Sequence, residues 1–184
     1  MGLDIVEYIM AVEDAFEIVL PDDRLSTVVT PRELAALVAE FVTVVDSGPC
    51  LSQRAFYRLR QAMRNQIRLP RRAIRPESVV VDLLPTAGTE ERWMAISADL
   101  DVQKPLGLRG RDGFFACLGV RPTTVGEAFN ELMMRYPRRL LQAGEGWTMS
   151  QIHAVLAQLL DREQGIAPKT YSLDARYVQD LQMD

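Results

Sequence analysis

Between Arg54 and Arg75 the chain carries eight arginines and no acid: Arg54, Arg58, Arg60, Arg64, Arg68, Arg71, Arg72 and Arg75. A run of guanidiniums this dense suits the phosphate backbone of a nucleic acid, or another anion. The aromatics within it, Phe56 and Tyr57, read as at least partly core-facing, and no DNA-binding motif accompanies them. The same charge equally suits an acidic half of the chain, a dimer partner or plain solvation. Near the other end of the charge scale, Asp4, Glu7, Asp14 and Glu17 occupy the outer face of the first predicted helix. Carboxylates there are favourable close to a helix N-terminus, whatever else they do.

The groups that would make an enzyme do not assemble. His153 is the single histidine, and no serine or cysteine stands where it would complete a triad. Cys50 and Cys117 build no disulfide framework and, with one histidine, no zinc pattern. The glycine-rich stretch Gly107–Gly113 lacks the GxxxxGK(S/T) pattern of a phosphate loop. Residues 101–113 also lack the acid spacing of a calcium loop. The expectation is a protein that is not an enzyme and holds neither metal nor cofactor.

Charge divides the 184 residues into regions. Residues 1–46 hold ten acids against two arginines, and residues 147–184 hold five acids against three bases. A net charge of −4 therefore leaves the middle strongly basic, which points to two modules rather than one uniform domain. No apolar run approaches the ~20 residues of a membrane helix. The longest one away from the helices is Phe114–Val120. The N-terminus carries Asp4 and Glu7 in place of a basic leader, so a cytoplasmic location without membrane contact is expected.

Almost every segment has helical periodicity. Ile5, Ile9, Val12 and Phe16 share one face of a first helix that Pro21 is expected to stop. "TPRE", Thr30–Glu33, supplies a cap, a proline at the first helical position and a glutamate at the third. The helix it opens has Leu34, Leu37, Val38, Phe41, Val42 and Val45 on one stripe. Ser52 is the expected cap of a third helix, with Phe56, Leu59, Met63 and Ile67 inward and the arginines outward. Thr89 is expected to cap a helix through Trp93, Ile96 and Leu100. A further helix carries Val125, Phe129, Leu132, Met133 and Tyr136. The last starts at Thr148 and ends at Gly165. Trp93 and Trp147 read as core anchors and the methionines as gap filling.

Two pairs of segments repeat. "LPRRAIRPESVVVDLLP" and "IAPKTYSLDARYVQDLQ" each follow a helix and end near Asp-Leu, and "STVVTPRELAALVAEFV" pairs with "RPTTVGEAFNELMMRYP". In the middle of the chain the unit is whole. At the ends it is split, its second half coming first.

These pieces resemble an acyl carrier protein. "HAVLAQLLDREQGIAPKTYSLDARYVQDLQMD" is similar to the family's first helix and long loop, which closes on Asp-Leu-Gly-x-Asp. "GLDIVEYIMAVEDAFEIVLPDD" looks like its acidic second helix, and "STVVTPRELAALV" like its last helix. The resemblance implies an all-α fold of two acyl-carrier-like four-helix bundles. The first is a circularly permuted bundle formed by residues 1–46 and 147–184, and the second a degenerate one over 51–140. Closure within one chain would set Asp184 near Met1; closure between chains would make a domain-swapped homodimer.

The family attaches phosphopantetheine to the serine of an Asp-Ser-Leu triplet at the start of the second helix. Asp184 matches the aspartate and Leu3 the leucine, but Gly2 occupies the serine position and has no hydroxyl. In the middle unit Thr86 and Thr89 are the nearest hydroxyls. Asp46-Ser47 lies at a helix end and is followed by glycine. The resemblance thus implies a non-enzymatic pseudo-carrier or scaffold whose acidic helix (Asp4, Glu7, Asp14, Glu17) docks on enzymes of fatty-acid or polyketide metabolism. The alternatives are an acyl carrier with an unconventional attachment site, and an anion- or nucleic-acid-binding module built on the arginine run.

Overall fold

The computed structural model describes residues 2–110 and 121–183. Met1, Asp184, Cys117 and the stretch 114–120 lie outside the described residues, as does the expected approach of Asp184 to Met1. Among the described residues the protein is all-α. Its helices are α1 (Leu3–Phe16), α2 (Asp22–Leu25), α3 (Pro31–Phe41), α4 (Leu51–Gln66), α5 (Val80–Leu83), α6 (Thr89–Asp99), α7 (Val125–Arg135) and α8 (Met149–Gln164). Short 3-10 turns occupy Arg71–Ala73, Pro137–Leu140 and Pro168–Thr170. The chain divides into two compact units: Met1–Pro49 with Leu141–Asp184, and Cys50–Leu140.

In the first unit α8 packs against both α1 and α3. Helix α1 buries Ile5, Tyr8, Ile9, Val12, Ala15 and Phe16, the face that its periodicity predicts. It stops before Pro21. Glu17 takes the left-handed conformation, φ 55°, and returns its N–H to the Glu13 carbonyl. The Glu13 carboxylate then accepts the Leu20 N–H at 2.7 Å, holding the turn that follows.

The cap of α3 is the predicted one: the Thr30 side chain accepts the Glu33 N–H while the Glu33 carboxylate accepts the Thr30 N–H. Its apolar stripe is shorter than expected. Phe41 is exposed, and Val42 already has extended backbone. Residues 43–45 pair with Trp147 instead: the Trp147 N–H donates to the Thr43 carbonyl at 2.8 Å and the Val45 N–H to the Trp147 carbonyl at 2.9 Å. This short pairing seats the Trp147 ring, 2% exposed, against Phe16, with centroids 4.7 Å apart. Helix α8 begins immediately after, with a box between Thr148 and Gln151, and ends at Gly165 in the left-handed conformation.

The chain beyond α8 is tied to the start of α3. The Arg32 N–H donates to the Leu173 carbonyl at 2.9 Å, and the Tyr177 N–H to the Val29 carbonyl at 3.0 Å. An exposed ion pair between Arg32 and Asp174, 2.7 Å, sits over the same junction. Exposed pairs contribute little by themselves, so the backbone bonds and the burial of Tyr177 carry the attachment.

In the second unit α4 packs against α6 and α7. Two expected caps fail here. Cys50, not Ser52, precedes the first turn of α4. Gly88, at φ 74°, opens α6, and the Thr89 hydroxyl donates backward to the Pro85 carbonyl at 2.8 Å. Helix α7 has a box between Thr124 and Glu127. Its second residue, Gly126, donates to the Pro76 carbonyl at 2.7 Å, and the Val80 N–H donates to the Thr123 carbonyl at 2.9 Å. Trp93 is buried, and its indole N–H donates to the Leu106 carbonyl at 2.7 Å, which satisfies its polar edge. The methionines divide: Met63 and Met183 fill the core, whereas Met10, Met94 and Met149 are exposed, so gap filling accounts for only some of them.

Candidate functional site

Gly2 is the N-cap of α1, with extended backbone and no side-chain cap bond. Its carbonyl accepts the Val6 N–H at 3.2 Å, and a glycine offers nothing further at the helix start. A phosphopantetheine ester needs a side-chain hydroxyl, so the residue at this cap does not fit that group. Downstream, Glu7 and Asp14 are exposed, and no cation is paired with either among the described residues. Asp4 is half-buried, and its carbonyl accepts the Gln164 side-chain amide at 3.0 Å. Glu17 lies one residue past the end of the helix. The four acids therefore differ in setting: Glu7 and Asp14 face solvent from the helix, while Asp4 is partly enclosed.

Between these acids lies a second apolar stripe. Leu3 (72% exposed), Val6 and Met10 (60% exposed) recur at three- and four-residue spacing and stand out to solvent on α1. A helix with an exposed apolar stripe beside unpaired carboxylates is an amphipathic surface on its outer side as well as its inner one. Its spacing is present in the sequence, but Ile5, Ile9, Val12 and Phe16 form the longer stripe and so mark the inward face.

The arginine run separates into three settings. Arg54 and Arg58 turn inward, correcting the expectation that the arginines face out. The Arg54 guanidinium donates to the Leu140 carbonyl at 3.0 Å; that of Arg58 donates to the Arg139 carbonyl and, at 3.4 Å, to the Leu100 carbonyl. Burial lowers the Arg58 pKa, with Asp101 opposing and Arg54 and Arg139 adding to the shift. Arg60, Arg71, Arg72 and Arg75 line one cleft with Phe56. Arg64 and Arg68 lie on the exposed surface, Arg68 beside a second cleft of about 540 Å³ between Ile67, Leu84 and Arg92. The aromatics are less internal than expected, since Tyr57 is 44% exposed.

His153 is half-buried on α8, and among the described residues its Nδ1 is buried without a hydrogen-bond partner. Burial, and then Arg32, hold its pKa below the ordinary 6.5. The unfolded chain therefore takes up this proton at higher pH than the folded protein does. Stability is undiminished above about pH 6.5 and falls as the pH drops from there to the depressed folded-state pKa. Urea midpoints measured from pH 7.5 down to 5 are expected to fall in that window, and His153→Gln to lose that component. An identical pH profile in the variant would mean that His153 carries none of this pH dependence.

Among the described residues no group of three or more His, Cys, Asp or Glu side chains is placed to hold a metal ion. No described helix is long and apolar enough to cross a membrane. No protein family, curated protein or solved structure matches the chain.

Proposed function

We propose that this chain is a non-enzymatic, acyl-carrier-like interaction protein, built from two carrier-like four-helix bundles of which the first is circularly permuted. Support for the architecture comes from a pattern that the two units have in common. Each has a 16-residue helix, α8 or α4, followed by a 3-10 turn and a loop. That loop is pinned to the start of an 11-residue boxed helix, α3 or α7, through the helix's second residue. The bonds correspond in register: Arg32 to Leu173 matches Gly126 to Pro76, and Tyr177 to Val29 matches Val80 to Thr123. In the second unit these parts run in one order; in the first, α1 to α3 come before α8 in the chain.

The functional reading rests on α1. Its exposed Leu3, Val6 and Met10, beside Glu7 and Asp14, offer an apolar strip with an acidic border to a partner. The partner this fits presents a basic rim around an apolar groove, where apolar contact gives affinity and charge complementarity gives rate and specificity. Enzymes that process carrier-bound acyl chains are the partner class implied by the resemblance. With Gly2 at the cap, the protein would dock as a carrier does without bearing an acyl group.

The test is intact mass after incubation with coenzyme A and a broad-specificity phosphopantetheinyl transferase. The mass is expected to stay unchanged. An added phosphopantetheine would sink the pseudo-carrier reading and direct attention to Thr86, which is exposed, or Thr89, whose hydroxyl is engaged with the Pro85 carbonyl.

A further inference from the structure

The second unit carries a cleft of about 480 Å³ lined by Phe56, Arg60, Arg71, Arg72, Arg75 and their neighbours Ile74 and Pro76. That volume lies within the range of small-molecule sites. Its cations are arranged rather than scattered. The Arg60 guanidinium carbon stands 4.8 Å from the ring centroids of both Phe56 and Tyr57, and that of Arg71 stands 6.0 Å from Tyr57. Stacking on a ring restricts the guanidinium plane while its N–H edge stays available for a fork-shaped bond to an anion.

The positive charge in this cleft has little internal compensation. Among the described residues no carboxylate pairs with Arg60, Arg71 or Arg72, and Glu77 lies 3.9 Å from Arg75 with both side chains exposed. Burial and then the Arg71 charge lower the Arg60 pKa, with Tyr57 opposing, a direction that a bound anion would reverse. A single carboxylate saturates one guanidinium fork. Four arginines around one concave space call for a ligand with more charge and more oxygen acceptors.

We propose that this cleft binds a small organic diphosphate, of the nucleoside diphosphate kind, with its phosphates against Arg60, Arg71 and Arg72 and its uncharged part over Phe56 and Pro76. This inference does not depend on the carrier reading. The structural seams at Arg54 and Arg58 take no part in it.

Calorimetric titration of the full chain with ADP, inorganic pyrophosphate and adenosine tests the site. ADP and pyrophosphate are expected to bind saturably at one site and more weakly as salt rises, and adenosine not to bind. Arg60→Gln and Arg71→Gln, each checked for an unchanged circular dichroism spectrum, should weaken ADP binding by about tenfold or more, the loss of one charged fork. Arg64→Gln, on α4 but outside the cleft, should leave it within about twofold. The proposal is overturned if ADP shows no saturable binding, or if Arg64→Gln weakens it as much as Arg60→Gln. A single-stranded oligothymidylate that binds and cannot be displaced by ADP would equally overturn it, pointing to a polymer surface instead.

Discussion

Replacing Gly146 by alanine is expected to destabilise the first unit by about 2–4 kcal/mol. A Cβ at this position would lie 2.6 Å from the Thr43 carbonyl oxygen and 2.8 Å from Val45 Cγ1. The nearer obstacle is backbone, so it cannot swing aside as a side chain would. The extended stretch of residues 43–45 would have to move off, taking with it the bonds from Trp147 N–H to Thr43 and from Val45 N–H to Trp147. Loss of that seat loosens Trp147 on Phe16, one of the largest buried contacts of this unit. Urea denaturation would show the loss as a lower midpoint, and hydrogen exchange as faster opening of α1, α3 and α8. An unfolding free energy unchanged to within about 0.5 kcal/mol would mean that the close approach of Gly146 to Thr43 is not maintained in solution.

Arg58→Met is the second large effect, expected to cost the second unit about 2–3 kcal/mol. Methionine retains most of the apolar stem that packs along α4, so the loss isolates the guanidinium. Without it, the carbonyls of Arg139 and Leu100, one in a 3-10 turn and the other at the end of α6, lose a charged donor in a half-buried seam. Arg58→Lys should recover only part of the loss, because one ammonium cannot reproduce the two-pronged geometry. An Arg58→Met protein as stable as the natural one would return this residue to the solvated surface.

Both predictions depend on long-range contacts, and these divide what was legible in the sequence from what was not. The boxes at Thr30 and Thr124 need only a hydroxyl and a glutamate three residues apart, and Thr148 uses a glutamine in the same way. Such a signal is complete within one turn of chain. Helix faces were legible for the same reason: Ile5, Ile9 and Val12, or Leu59 and Met63, mark an inward side by spacing alone. The end of α3 was not, because Val42 and Val45 continue an apolar pattern that Trp147, far along the chain, captures for a different use. Nor was the cap of α6, where a left-handed glycine does what a nearby threonine could have done.

The arginines show the same limit on the functional side. Spacing assigns a residue to a helix face, but a side chain as long as arginine can reach a carbonyl far along the chain, as Arg54 and Arg58 do. The cleft of Arg60, Arg71, Arg72 and Arg75 required the loop after α4 to fold back beside Phe56, a placement that no local pattern encodes. The exposed stripe of Leu3, Val6 and Met10 was visible in principle, since two apolar stripes on one helix leave one without a core to enter.

The proposal of a carrier-like bundle with its parts reordered and glycine at the attachment position can be probed by restoring both order and serine. In a relinked chain residues 147–184 would come first, with Asp184 joined directly to position 2 and residues 2–46 following, and Gly2→Ser would complete an Asp-Ser-Leu triplet. The measurement is intact mass of this relinked protein and of the natural chain after incubation with coenzyme A and a phosphopantetheinyl transferase. The relinked protein is expected to be helical, to melt cooperatively and to gain one phosphopantetheine on the new serine, while the natural chain gains none. A relinked protein that folds yet stays unmodified, or a natural chain that is modified, would contradict the proposal.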